Sequence, residues 1–182
     1  MLGCSLLLLA GCGDTRAPVP APTQPAAPAG FHTLTLSHAG VRLSAPRNWT
    51  VSGQPAPLVV TLESGTAVVA LWRYPSAAPA PSGPAGLAQA RQALLAAVRR
   101  RDPQVKLLGS SFSTVSGAAA IQVQAREQIA GRTRRVSSTH VYVRGAELVL
   151  DEYAPPAQFA TVDRAVFVPV RQSLTLLPTG GA

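Results

Sequence analysis

Cysteine is almost missing from this chain: Cys4 and Cys12 are the only two in 182 residues. Everything after Cys12 therefore lacks a thiol, which excludes internal disulfides, cysteine nucleophiles and cysteine-ligated metals from the folded part. Lysine is scarcer still, with Lys106 alone among 16 basic residues, and beside the abundant Ala and Pro this marks a GC-rich coding bias rather than selection for guanidinium chemistry. Acidic residues number only 8, leaving a formal net charge of +8. That charge favours acidic polymers and anionic headgroups, and it equally serves solubility. The few aromatics are not interleaved with the arginine clusters, as a stacking platform for nucleic acid would require. His32, His38 and His140 are scattered and show no metal-ligand spacing. No cofactor motif is present. Hydrophobic residues make up 47%, so the chain is not a disordered one.

The first twelve residues read as a targeting segment. Ser5 to Ala10 is an apolar run leading into Leu9-Ala10-Gly11-Cys12. This tetrad resembles the lipobox of bacterial lipoproteins, in which an aliphatic and two small residues precede a cysteine that is alkylated by diacylglycerol. The resemblance implies a signal peptide over 1–12, lipidation of Cys12 and attachment to the extracytoplasmic side of a cell membrane. No Arg or Lys precedes the run, although a secretory signal has a positive n-region, so the expected start codon lies upstream of Met1. No later run reaches the roughly 20 apolar residues of a spanning helix, which leaves lipid as the expected anchor.

Residues 13–30 form a Pro/Ala-rich linker, with prolines at 18, 20, 22, 25 and 28. From Thr15 to Gly30, an extended polyproline spacer at about 3.1 Å per residue would reach roughly 50 Å. The expected domain covers residues 31–178. Its opening pattern gives strands at His32–Ser37 and Val41–Ala45, then a hairpin from Leu58–Leu62 to Ala67–Trp72. Pro84 opens a helix over 85–101 whose stripe is Leu87, Ala90, Leu94, Ala97 and Val98. Arg99, Arg100 and Arg101 complement its dipole, and Asp102-Pro103 ends it. Val105–Leu108 and Phe112–Val115 are two short strands. After Pro155-Pro156, Phe159, Val162, Val166 and Phe167 give a second helical stripe, which Pro169 should divide into two short helices.

Ala118 to Tyr153 alternates apolar and polar residues in three runs punctuated by Gly131 and Gly145, the pattern of an antiparallel meander. Placing Ile121, Val123 and Ala125 on one face with Thr139, Val141 and Val143, and with Ala146, Leu148 and Leu150, fixes a register. It puts Ala130-Gly131-Arg132 in the turn, Ile121 opposite Val141 and Glu127 opposite Arg135. It also keeps Arg126 from facing Arg135, a pairing that like charges would disfavour.

Gly40-Val41-Arg42-Leu43, followed by Pro46 and Trp49, resembles the opening of PsbP-like domains, including bacterial envelope lipoproteins of the LpqN type. The order of elements from Phe31 to about Leu177 is similar as well. The resemblance implies an α+β domain: an antiparallel sheet of about six to seven strands with helices on both faces, binding proteins or glycans and sharing no catalytic residues. The residues agree as far as they go. Asp151-Glu152 is the only acidic pair, and strand neighbours point to opposite faces. No serine lies in a nucleophile elbow. Trp49 and Trp72 read as core or sheet-edge anchors. The expected contact surface joins Arg99 and Arg100 to a sheet face bearing Gln122, Gln124, Arg126, Arg134, His140 and Tyr142. The resulting expectation is a non-catalytic, lipid-anchored binding or assembly module whose partner is an envelope protein or anionic glycopolymer, not nucleic acid. The alternative is a hydrolase or transferase acting on envelope polymers. A His-acid-Ser cluster in a deep pocket would favour the enzyme, and a shallow polar sheet face would favour binding.

Overall fold

Alternating strands without cysteine staples must bury their apolar faces against something, and here they do so on two unequal sides. A computed structural model describes residues 23–178. The signal segment, Cys12 and the first part of the linker lie outside those residues. Seven strands form one antiparallel sheet in the order β3-β4-β5-β9-β8-β7-β6. They are β3 (Thr50–Gly53), β4 (Leu58–Ser64), β5 (Ala67–Pro75), β6 (Lys106–Val115), β7 (Ala118–Ile129), β8 (Arg132–Val143) and β9 (Ala146–Ala154). The first two strands, β1 (Phe31–Leu36) and β2 (Val41–Pro46), form a separate sheet in which β2 pairs with both β1 and the two-residue β10 (Thr175–Leu176).

One face of the large sheet carries the core. Val69, Leu71, Val141, Leu148 and Leu150 meet β2 residues Val41 and Leu43, and also Phe159, Val166, Phe167 and Val170 of the C-terminal helix. Burying each large side chain contributes about 1.5–3 kcal/mol, which is why this side dominates stability. The C-terminal helix does not break at Pro169. Helix α2 (Pro156–Val162) runs through a π-helical turn over Asp163–Phe167 into α3 (Val168–Ser173). The backbone stays right-handed at Val162 and Val168, and the Val168 N–H reaches back to the Asp163 carbonyl. Proline removes one donor and crowds the preceding turn. Widening that turn accommodates it without severing the stripe.

The opposite face is covered by one helix, α1 (Gly83–Arg101), of which only Val98 is buried. Helices thus lie on both faces of a seven-stranded antiparallel sheet, the architecture expected. Three local expectations need correction. Residues 106–115 form one strand bent by a bulge at Leu108 rather than two short ones. The β7–β8 turn is the two-residue Ala130-Gly131, so Ile121 faces His140, Glu127 faces Arg134, and Arg126 does face Arg135. Ala130 at φ 50 and Gly131 at φ 71 are both left-handed, the requirement of a tight turn matched to strand twist. The like-charge pair is tolerated because Arg135 turns away, donating to Gln124 Oε1 at 3.3 Å and lying 4.9 Å over the Phe159 ring.

The third correction concerns the linker. Residues 23–30 are laid down on the domain rather than held free as a spacer. Thr66 Oγ1 donates to the Thr23 carbonyl, Ala26 N–H to Ser64 Oγ, Ala29 N–H to Asn48 Oδ1, and Asn48 Nδ2 to the Ala27 carbonyl. The Trp49 indole donates to the Ala26 carbonyl at 3.1 Å while its ring is buried. Gly65 is needed here, since a Cβ on it would come within 2.8 Å of the Gln24 backbone. No helix among the described residues is long and apolar enough to cross a membrane.

Candidate functional site

Because α1 stands off the sheet, a cavity of about 760 Å³ remains beneath it. Its roof is Leu94, Ala97, Val98 and Arg101, and its floor is drawn from β5, β7, β8 and β9. Cross-strand pairing builds that floor in rows. Tyr74, Glu147 and Tyr142 form one row; Trp72, Val149, His140 and Ile121 the next; Ala70, Asp151, Ser138 and Val123 a third. Residues directly opposite in an antiparallel sheet share a face, so four polar groups converge on a largely apolar floor.

They form a chain. Ser138 Oγ lies 2.5 Å from Asp151 Oδ1 and 3.1 Å from His140 Nε2, and His140 Nδ1 lies 2.8 Å from Glu147 Oε1. The Ser138 hydroxyl carries a single proton, which it can give either to Asp151 or to the imidazole. Asp151 therefore competes with His140 for the serine proton. A serine nucleophile needs that proton handed to a neutral imidazole. An oxyanion also needs free donors. β8 lies between β7 and β9, so its backbone N–H groups are committed to the ladders on either side.

The electrostatics are acidic. Burial pushes the Glu127 carboxyl up, against the pull of Arg101, which reaches it at 2.9 Å. Burial also raises the phenols of Tyr74 and Tyr153, with Asp151 adding to both, and pushes Tyr142 up to about 12 with help from Glu147. Trp72 and Tyr74 stack at 6.1 Å and 9° on the cavity wall.

The expected contact surface does not form one face. Arg134, His140 and Tyr142 lie on the α1 side, whereas Gln122, Gln124 and Arg126 lie on the side of the C-terminal helix. There Gln122 donates to Ser137 Oγ. Arg99 and Arg100 are exposed at the end of α1. Of the eight residues, only His140 enters the polar chain. The sequence reading missed Ser138, Glu147 and Asp151 as its partners. The register already assigned to β8 and β9 held the signal: if Val141 and Leu148 share one face, His140, Glu147 and Asp151 share the other. Asp151 and Glu152 do point to opposite faces, Glu152 being fully buried against Arg171.

The fold can now be set beside solved structures. Cyanobacterial PsbP (CyanoP) from Synechocystis sp. PCC 6803 superposes with a TM-score of 0.61 at 13% identity, covering 92% of this chain and 98% of that one. The fold is PsbP-like. LpqN of Mycobacterium tuberculosis, described as involved in cell envelope biogenesis, gives a TM-score of 0.52 at 20% identity, covering 76% and 83%. A Pseudomonas aeruginosa protein of unknown function, PA94, gives 0.52 at 20%, covering 82% and 99%. At such identities the PsbP-like likeness establishes architecture, and function has to be argued from the cavity. No family model and no curated relative matches the chain.

Proposed function

We propose that this protein is a lipid-anchored, extracytoplasmic binding module whose ligand seat is the cavity between α1 and the sheet. The single observation carrying this reading is the roof. A nineteen-residue helix that buries only Val98 covers about 760 Å³ of space floored by convergent polar groups, within the size range of small-molecule sites. Anchoring rests on the Leu9-Ala10-Gly11-Cys12 pattern, and an envelope role is supported by the shared fold of LpqN. The basic exterior, with Arg99 and Arg100 exposed, suits association with anionic envelope polymers or headgroups.

The test uses the full chain carrying Cys12→Ser. Ala97 lines the cavity and is exposed, outside the core, so Ala97→Trp adds bulk at the roof without disturbing the core. After incubation with an envelope extract, native mass spectrometry should find a small molecule retained by the parent protein and lost from Ala97→Trp. Equal retention, or none by either, would refute the reading.

A second reading has one observation in its favour. Ser138, His140 and Glu147 make the His-acid-Ser cluster that a hydrolase would need. The Asp151 contact and the lack of free backbone donors on β8 weigh against it, and we favour binding. Ester or glycan turnover that Ser138→Ala abolishes would reverse that preference.

A further inference from the structure

The protein is strongly basic, yet its cavity is acidic. Of the 8 acidic residues in the whole chain, four border this one space: Asp102, Glu127, Glu147 and Asp151. Against them stand Arg101, whose side chain is 68% exposed and already paired with Glu127, and His140. Two further atoms are unsatisfied. Asp102 Oδ2 and the Trp72 indole N–H are buried without a hydrogen-bond partner among the described residues, and both side chains line this cavity. Most buried polar groups in folded proteins are paired, and these two belong to a set of six unpaired buried side-chain atoms among the described residues. The Asp102 oxygen is an acceptor that a cationic donor would satisfy, whereas the indole N–H is itself a donor and a cation would leave it as it is.

The aromatic wall fits the same occupant. Trp72 and Tyr74 lie two apart on β5, with Tyr74 directly opposite Glu147 and Trp72 diagonal to Asp151. An electron-rich indole beside two carboxylates is the surrounding in which a desolvated cation is held best. Burial raises the phenols of Tyr74 and Tyr153, with Asp151 adding to both and Glu147 to Tyr74.

We propose that the cavity binds a small organic cation, its ammonium or guanidinium group held between the Trp72–Tyr74 stack and the carboxylates of Glu147 and Asp151. This rests on the cavity being the ligand seat and adds the charge class.

The chain holds only two tryptophans, so their indole N–H resonances separate the cavity from the rest of the domain. Trp49, bonded to the Ala26 carbonyl, serves as internal reference. The full chain carrying Cys12→Ser is titrated with benzylamine, choline and agmatine, against benzyl alcohol and benzoate as neutral and anionic controls of matched size. The cations should shift the Trp72 indole resonance and leave that of Trp49 in place. Glu147→Gln, at a partly exposed position, and Asp151→Asn should each weaken benzylamine binding by about tenfold, or about 1.4 kcal/mol. The backbone amide spectrum reports whether each variant is folded, and Glu147→Gln alone suffices if Asp151→Asn is not. Unchanged amine affinity in folded Glu147→Gln overturns the proposal. So does a Trp72 shift with benzyl alcohol or benzoate at equal affinity, which leaves the cavity a ligand seat of another class. If no compound moves Trp72, the cation proposal falls. The ligand-seat reading stands or falls on the separate Ala97→Trp comparison.

Discussion

Glu152 is the most exacting residue in the molecule. It is fully buried on the core side, with Arg171 on one carboxylate oxygen and no hydrogen-bond partner among the described residues on the other. Burial outweighs the arginine and pushes its carboxyl up to about 8. The sign follows directly. Between an ordinary value of 4.5 and about 8, the native state binds a proton that the unfolded chain releases. Stability on this account is fullest below the lower value and is lost as pH rises toward the upper one. Thermal melts across that window should show the decline, and Glu152→Gln should flatten it. Trp49 makes the complementary residue-scale test. With 5% of its surface exposed and its indole bonded to Ala26, Trp49→Ala should cost about 3–5 kcal/mol, read by denaturant unfolding. What the sequence hid at this scale was partnership. His140 and Ser138 alternate on one strand, and their acids come from the next strand across the Arg144-Gly145 turn. No local spacing rule joins them; only register does.

Elements were legible where periodicity was strong and illegible where one residue decided a turn. The helix at 83–101 and the stripe at Phe159, Val162, Val166 and Phe167 follow from spacing alone. The β7–β8 register did not, because the argument against opposing arginines assumed that both side chains stay where their Cβ atoms point. Long side chains need not. Arg135 escapes onto Phe159, and that freedom let turn geometry rather than charge choose the pairing. Left-handed Ala130 is the cost. Ala130→Asn should therefore stabilise the domain by about 0.4–1 kcal/mol, measured by chemical denaturation, since Asn-Gly suits such a turn. The docked segment was also hidden, because its prolines signal an extended chain and say nothing about what that chain lies on. Gly65→Ala should loosen it through the clash with Gln24 and the positive φ of 54. Hydrogen exchange at Ala26 and Ala29 should then speed up while that of the central strands stays unchanged.

For the whole molecule, the sequence conveyed the architecture and the charge, but not that charge is sorted between inside and outside. Arg126 sits on the opposite sheet face from Arg134, so the basic exterior is distributed rather than focused on one patch. Glutamine substitutions at Arg99 and Arg100, and separately at Arg126, should reduce binding to anionic vesicles additively at low salt, since distant sites couple weakly. A loss much larger than the sum would mean that one partner bridges both. Cys12→Ser should move the protein from the membrane to the soluble fraction, checked by fractionation and by mass spectrometry of the mature N-terminus.

The seating of residues 23–30 has a mechanical consequence. Between the proposed anchor at Cys12 and Thr23, ten residues intervene, and a fully extended stretch of that length spans about 33–36 Å. On the proposed anchoring, tension reaching Thr23 would meet separate bonds at Thr66, Ser64, Trp49 and Asn48 before it reached Phe31. Contacts loaded one at a time peel like a strip of tape, whereas the ladders of the sheet would have to shear together. On the proposed anchoring the segment would act as a fuse: stripping it would lengthen the tether and bare the rim of Trp49 ahead of the seven strands.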